Sequence, residues 1–101
     1  MIDFDKVAGF EWDAGNGRKS EVKHGVSQVE AEEVFFNNPL LISTDDKHSE
    51  KESRFLALGK TNKARVLTVI FTLRHDGTLI RVISARDQHR KESHLYAQAH
   101  K

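Results

Sequence analysis

Two apolar runs, 65–74 and 79–85, separated by His75-Asp76-Gly77-Thr78, constrain this chain more than any other feature. Both are rich in Val, Ile, Leu, Phe and Thr, side chains that suit a pleated, half-buried surface. Asp-Gly between such runs marks a tight type I′ hairpin, whose two central residues take positive φ. With Asp76 and Gly77 at the turn, Arg74 pairs with Leu79, Thr72 with Arg81, and Ile70 with Ile83. Side chains alternate along a strand, so Thr68, Thr72, Arg74 and Arg81 share one face. Leu67, Val69, Phe71, Leu73, Ile80 and Val82 occupy the other. That second face is wholly apolar and must be the core, packed against helices. The first is either a solvated sheet surface or a binding face for an anionic partner.

The helices are marked upstream. Asp13 is a candidate N-cap and Gly25 a natural stop after His24, although Gly15 and Gly17 weaken the helix between them. Ser27 and Glu30 form a capping box, Val26 can staple onto Ala31, and Ala31, Val34 and Phe35 fall on one helical face. Asn37-Asn38-Pro39 ends that helix. Short strands are expected near the start of the chain, through Phe10-Glu11-Trp12, and at 40–44 and 54–59. A polar loop joins the last two, and a final helix capped by Asp87 runs to about Ala99. The expected fold is α+β: an antiparallel sheet of four to five strands, two N-terminal helices and one C-terminal helix.

At 101 residues the chain has the size of one domain, so 1–101 is read as a single unit. Net charge is +1, but residues 1–53 carry 6 Lys/Arg against 12 Asp/Glu, and residues 54–101 carry 10 against 3. The basic half either attracts phosphate or is neutralised by the acidic half across the fold. Without cysteine, neither a disulfide framework nor a thiolate zinc site is available. No H-E-x-x-H, Gly-rich phosphate loop or G-x-S-x-G elbow occurs, so no metal or cofactor is expected. No apolar run reaches a membrane span, and the acidic first residues lack the basic start of a signal peptide. No membrane association and a cytoplasmic location are the expectations.

Several blocks together carry a family likeness: Phe10-Glu11-Trp12-Asp13, Lys23-His24-Gly25-Val26, Glu30-Ala31-Glu32-Glu33-Val34-Phe35 and His48 to Phe55. Val69-Ile70-Phe71-Thr72, Ile80 to Arg86 and Glu92 to Tyr96 complete the set. In order and spacing the chain resembles the BrnT-type toxins of bacterial toxin–antitoxin pairs from about residue 9 to residue 97. It departs from their pattern at Asn16, Ser20 and Lys47, where lysine, asparagine and arginine are usual.

The resemblance implies a RelE-like fold with helices on one face of an antiparallel sheet. It also implies an endoribonuclease that inhibits translation, neutralised by a BrnA-like antitoxin in a 2:2 complex. DNA would be contacted only indirectly, through that antitoxin.

Metal-independent RNA cleavage needs a base at the 2′-OH, cations on the phosphoryl oxygens and an acid at the 5′-oxygen. Arg74 and Arg81 suit the cationic role, because guanidinium groups bind phosphate bidentately. For proton transfer the candidates are His24, His48 and Glu52, with Glu50 also in reach of the same loop. His24 could equally be a capping histidine at a helix end. Lys23, Arg54, Arg86 and Thr72 are candidate RNA contacts. The other histidines, His75, His89, His94 and His100, read as surface residues, and the aromatic side chains as core. The alternative is a catalytically weak or inactive RNA- or protein-binding module of the same fold.

Overall fold

The hairpin forms as its turn chemistry requires. In the computed structural model, which describes residues 2–46 and 52–99, β4 (Val66–Arg74) and β5 (Leu79–Asp87) pair antiparallel. Asp76 and Gly77 have φ of 57° and 85°, and His75 joins them at 54°. Arg74 lies opposite Leu79 and Thr72 opposite Arg81, as expected. The third expected pair is wrong: Ile70 faces Ser84, because a β-bulge inserts Ile83 into β5.

The sheet has five strands in the order β1-β5-β4-β3-β2, with β1 at Gly9–Phe10, β2 at Leu41–Thr44 and β3 at Phe55–Lys60. The expectation of a wholly antiparallel sheet fails at one edge. β1 runs parallel to β5, pairing Gly9 with Leu79 and Phe10 with Ile80. A two-residue strand carries too little pattern to reveal its direction.

The helix α1 (Lys19–His24) is shorter than its capping signals suggest. Asp13 does not cap it. Its carboxylate instead accepts from the Gly15 amide at 2.8 Å, and its carbonyl from the Gly17 amide at 2.7 Å. A Cβ on Gly17 would sit 2.7 Å from that carbonyl oxygen, so the tight turn before α1 depends on glycine. Gly25 stops the helix as anticipated, in the left-handed conformation with φ 65°.

The helix α2 (Gln28–Glu33) opens on the expected capping box of Ser27 and Glu30 and tightens into a 3-10 turn at Val34–Phe36. Val26, Ala31 and Val34 are buried against Leu67, Val69, Phe71, Ile80 and Val82, the apolar sheet face assigned from alternation.

The last helix, α3 (Arg90–Gln98), follows His89 rather than Asp87. Asp87 is instead engaged by Arg65, Nε to Oδ1 at 2.7 Å. α3 also lies on the opposite sheet face from α1 and α2, so the helices are not confined to one side. Glu92 of α3 accepts the Thr68 hydroxyl at 2.8 Å, and Thr68 faces away from the Leu67–Val69 core. Tyr96 is buried there and donates its hydroxyl to the Pro39 carbonyl at 2.7 Å. Thr68 and Thr72 are therefore buried rather than part of an open surface. Among the described residues no helix covers the rest of that face, toward the hairpin.

Among the described residues no helix is long and apolar enough to cross a membrane.

Candidate active site

The bulge decides which side chains meet. Arg81 and Arg86 are five residues apart and would occupy opposite faces of a regular strand. With Ile83 extruded, Arg81 lies opposite Thr72 and Arg86 opposite Thr68, two positions on the same face of β4. Arg74 follows at the next position of that face. One surface thus presents Arg74, Arg81 and Arg86, as the hairpin register required for the first two. The interior of the row is apolar: a cleft of about 500 Å³ is lined by Leu56, Ile70, Ile83 and Ser84, with Asp45, Arg54 and Arg86.

Each of the three arginines is ion-paired. Arg81, with 16% of its side chain exposed, donates to Glu11 at 3.0 Å and to both Asp13 oxygens at 2.9 and 3.0 Å. Arg74 bonds the Glu52 carboxylate and lies 3.7 Å from Glu11. Arg86 makes a bidentate pair with Glu92 at 2.8 and 3.0 Å.

Three acids of the acidic half thus neutralise arginines of the basic half. The charge asymmetry of the sequence is, at this face, an internal pairing.

Titration follows the same contacts. The Arg81 guanidinium, aided by the Gly15 amide, holds Asp13 below the usual carboxylate range, and Asp13 in turn raises Arg81. Burial pushes Glu92 up, but Arg86, the His89 amide and Thr68 outweigh it and bring the carboxyl down to about 2.

Two of the departures from the family pattern have structural work here. β1 ends at Phe10, and beyond it the outer edge of β5 has no strand to pair with. Asn16, 5% exposed, donates from Nδ2 to the carbonyls of Val82 at 2.8 Å and Glu11 at 3.0 Å, and accepts from the Asp13 amide. The Ser20 hydroxyl accepts the Ala85 amide at 2.8 Å. These two side chains fix the segment bearing Glu11 and Asp13 against the strand bearing Arg81.

The other candidates disperse. His24 is exposed at the end of α1, and its carbonyl, with that of Gly25, accepts from Arg65. Arg65 is held by Glu30 and Asp87 on the α1–α2 side of the sheet, so His24 is not brought to the arginine face. Lys23 is exposed on the same short helix.

Thr72 is withdrawn from any RNA contact, being buried and donating to the Ser53 carbonyl at 2.7 Å. Glu52 does reach the face, through Arg74, and Arg54 lines the cleft. His48 and Glu50 lie outside the described residues, as does Lys47.

Trp12 bonds Glu32 of α2 through its indole at 2.7 Å and packs on the core, whereas Phe36 is 76% exposed. Among the described residues no cluster of His, Asp and Glu is arranged to hold a metal ion.

Glu11, Asp13 and His75 are the residues that sequence reasoning missed. His75 Nε2 lies 3.2 Å from the second Glu11 oxygen, Oε2. The signal for the two acids was the Phe10-Glu11-Trp12-Asp13 block, which sets two carboxylates at alternate positions beside the hairpin.

Comparison with known proteins agrees with this architecture. The family model described as "Ribonuclease toxin, BrnT, of type II toxin-antitoxin system" matches residues 12–92. Among solved structures, the ribonuclease toxin BrnT of Brucella abortus is similar in fold, with a TM-score of 0.59 and 22% sequence identity. That match covers 83% of this chain and 100% of the Brucella chain. No curated protein matches the sequence closely enough to compare.

Proposed function

The chain belongs to the BrnT family of ribonuclease toxins of type II toxin–antitoxin systems, and from that premise we propose that its arginine face is the RNA-cleaving surface. The single observation that carries this reading is that Arg74 and Arg81 share one sheet face through the hairpin register and that the bulge at Ile83 adds Arg86 to it. Guanidinium groups fixed on a strand pair are preorganised for the charge that develops on a phosphoryl group. The adjoining cleft offers Leu56, Ile70 and Ile83 to a base and Arg54 and Arg86 to its flanking phosphates.

The reaction is attack of a ribose 2′-OH on the adjacent phosphodiester, without a metal, leaving a 2′,3′-cyclic phosphate and a 5′-hydroxyl. Its consequence is arrest of translation by a cytoplasmic toxin whose single domain is 1–101. The carboxylates on the arginines must give way to the substrate phosphate, an exchange of one anionic partner for another.

A BrnA-like antitoxin would silence the toxin most directly by covering this face, in a 2:2 complex that touches DNA only through the antitoxin. Hydrogen exchange tests this, the expected result being protection of β4 and β5 on complex formation. A complex that leaves Arg74 and Arg81 solvent-accessible contradicts it.

The ion pairing favours a second reading. Because each of the three arginines already has a carboxylate partner, the face could be a structural network in a module that binds RNA or protein without cutting. Incubating the free protein with end-labelled RNA in EDTA separates the two. Fragments ending in 2′,3′-cyclic phosphate support the enzyme; binding without cleavage supports the module.

A further inference from the structure

The arginine face also brings together two groups that can move protons, and neither is among the residues first considered for that role. Glu11 leaves β1 with its amide bonded to the Ile80 carbonyl at 2.9 Å, which fixes its backbone beside β5. One of its oxygens meets Arg81 at 3.0 Å and Arg74 at 3.7 Å. The other lies 3.2 Å from His75 Nε2. His75 sits in the hairpin turn directly after Arg74, with 66% of its side chain exposed.

A carboxylate and an imidazole flanking a pair of guanidiniums supply the base, the acid and the cations of a 2′-OH attack within one contact cluster. We infer that Glu11 and His75 are the base and acid of RNA cleavage at this face, Glu11 taking the 2′-hydroxyl proton and His75 protonating the leaving 5′-oxygen. This rests on the ribonuclease reading above.

The step balances. The 2′-hydroxyl gives its proton to a Glu11 oxygen as the 2′-oxygen bonds to phosphorus. Arg74 and Arg81 neutralise the charge on the non-bridging oxygens. The P–O5′ bond breaks, and the 5′-oxygen takes the proton carried by the His75 imidazolium. The products are a 2′,3′-cyclic phosphate and a 5′-hydroxyl.

The site is then one proton out of place, held by Glu11 and missing from His75. Once product leaves, that proton passes from Glu11 to His75 across their direct contact, and both groups are reset. Substrate enters between the two groups, and the exposed turn lets the imidazole swing aside.

Among the described residues, the charged groups near the pair come from the two strands, the turn, where Asp76 follows His75, and the N-terminal segment. Arg81 faces Glu11 from β5 and Arg74 from β4, with Asp13 and Glu52 bonded to those arginines. Lys6 comes against the turn at Gly77, its Cδ 3.9 Å from where a Cβ would stand.

The test uses the free full chain, two variants and two substrates. His75→Asn suits the fold, because asparagine tolerates the positive φ at this exposed position. Glu11→Gln keeps the shape of the side chain. The substrates are an RNA oligonucleotide and uridine 3′-(4-nitrophenyl) phosphate, whose nitrophenolate leaves without protonation.

On RNA both variants are expected to lose roughly 100-fold in kcat, the range of one proton-transfer group. On the nitrophenyl ester His75→Asn should return to within about an order of magnitude of wild type, while Glu11→Gln stays low.

If His75→Asn matches wild type on RNA, or loses equally on both substrates, His75 is not the acid. If folded Glu11→Gln keeps wild-type rates, Glu11 is not the base; if it does not fold, His75→Asn alone decides. In all these cases the ribonuclease reading stands. Wild-type protein that cleaves neither substrate overturns both readings.

Discussion

Glu11 and Arg81, seventy positions apart in the chain, meet at 3.0 Å, and through that contact the N-terminal segment is tied to the strand that follows the hairpin. The same carboxylate reaches Arg74 at 3.7 Å. The segment after the parallel edge strand, the two hairpin strands and their turn thus converge on one carboxylate. The fold supplies the site by topology more than by local motif.

Asn16 and Ser20 hold that convergence in place, so their loss should be felt in stability. Asn16→Ala strands the Val82 and Glu11 carbonyls, and Ser20→Ala the Ala85 amide. Each is expected to cost about 2 kcal/mol, the penalty of leaving buried backbone groups unpaired. Urea unfolding midpoints check this, and an unchanged midpoint for Asn16→Ala would show that water replaces the side chain freely.

Acid should unfold the protein through its carboxylates, with Glu92 as a leading contributor. Its folded pKa lies at about 2, below its ordinary value of 4.5. A depressed carboxylate stabilises the folded state above the unfolded pKa, and that contribution fades as pH falls from 4.5 toward 2. Asp13, Glu30 and Asp87 are shifted in the same direction and add to the loss. Glu92→Gln should be less stable at pH 6 yet lose less on going to pH 3, by roughly 2 kcal/mol. Parallel denaturation curves at the two pH values would reject this role for Glu92.

Gly59 packs where α2 runs into its 3-10 turn. A Cβ there would stand 2.8 Å from the Val34 Cβ and 3.2 Å from the Val34 carbonyl oxygen. Gly59→Ala is expected to destabilise by about 1–3 kcal/mol through overpacking, read as a lower thermal midpoint. Gly25→Ala meets no atom within 4 Å, and its cost comes from the positive φ alone, about 1 kcal/mol.

The legible parts of this fold were those with a local cause. Asp76-Gly77 forces positive φ, the strict alternation of β4 separates Arg74 from the core, and Ser27 with Glu30 satisfies the first amides of α2. What escaped detection depends on contacts made across the chain. No residue type announces the bulge at Ile83, yet it brings Arg86 to the same face as Arg81.

The direction of β1 rests on two residue pairs, and the side taken by α3 on one buried tyrosine and the Glu92 contacts. The acidic first half and basic second half were visible as composition. Only the folded arrangement couples Glu11, Asp13 and Glu52 to Arg81 and Arg74. His75 read as a surface residue because its partner, Glu11, is sixty-four positions away.

Cleavage of RNA in EDTA by arginine variants from the two sides of the sheet tests the proposed surface most directly. Arg81→Ala and Arg74→Ala should each lower the rate at least roughly tenfold while remaining folded, as loss of a transition-state cation does. Arg65→Ala removes the cation bonded to Glu30 and Asp87 on the α1–α2 side; it should lower the melting temperature and leave the rate of the folded protein unchanged. Folded Arg81→Ala and Arg74→Ala cutting at the wild-type rate, or Arg65→Ala losing activity while they do not, would place the chemistry elsewhere.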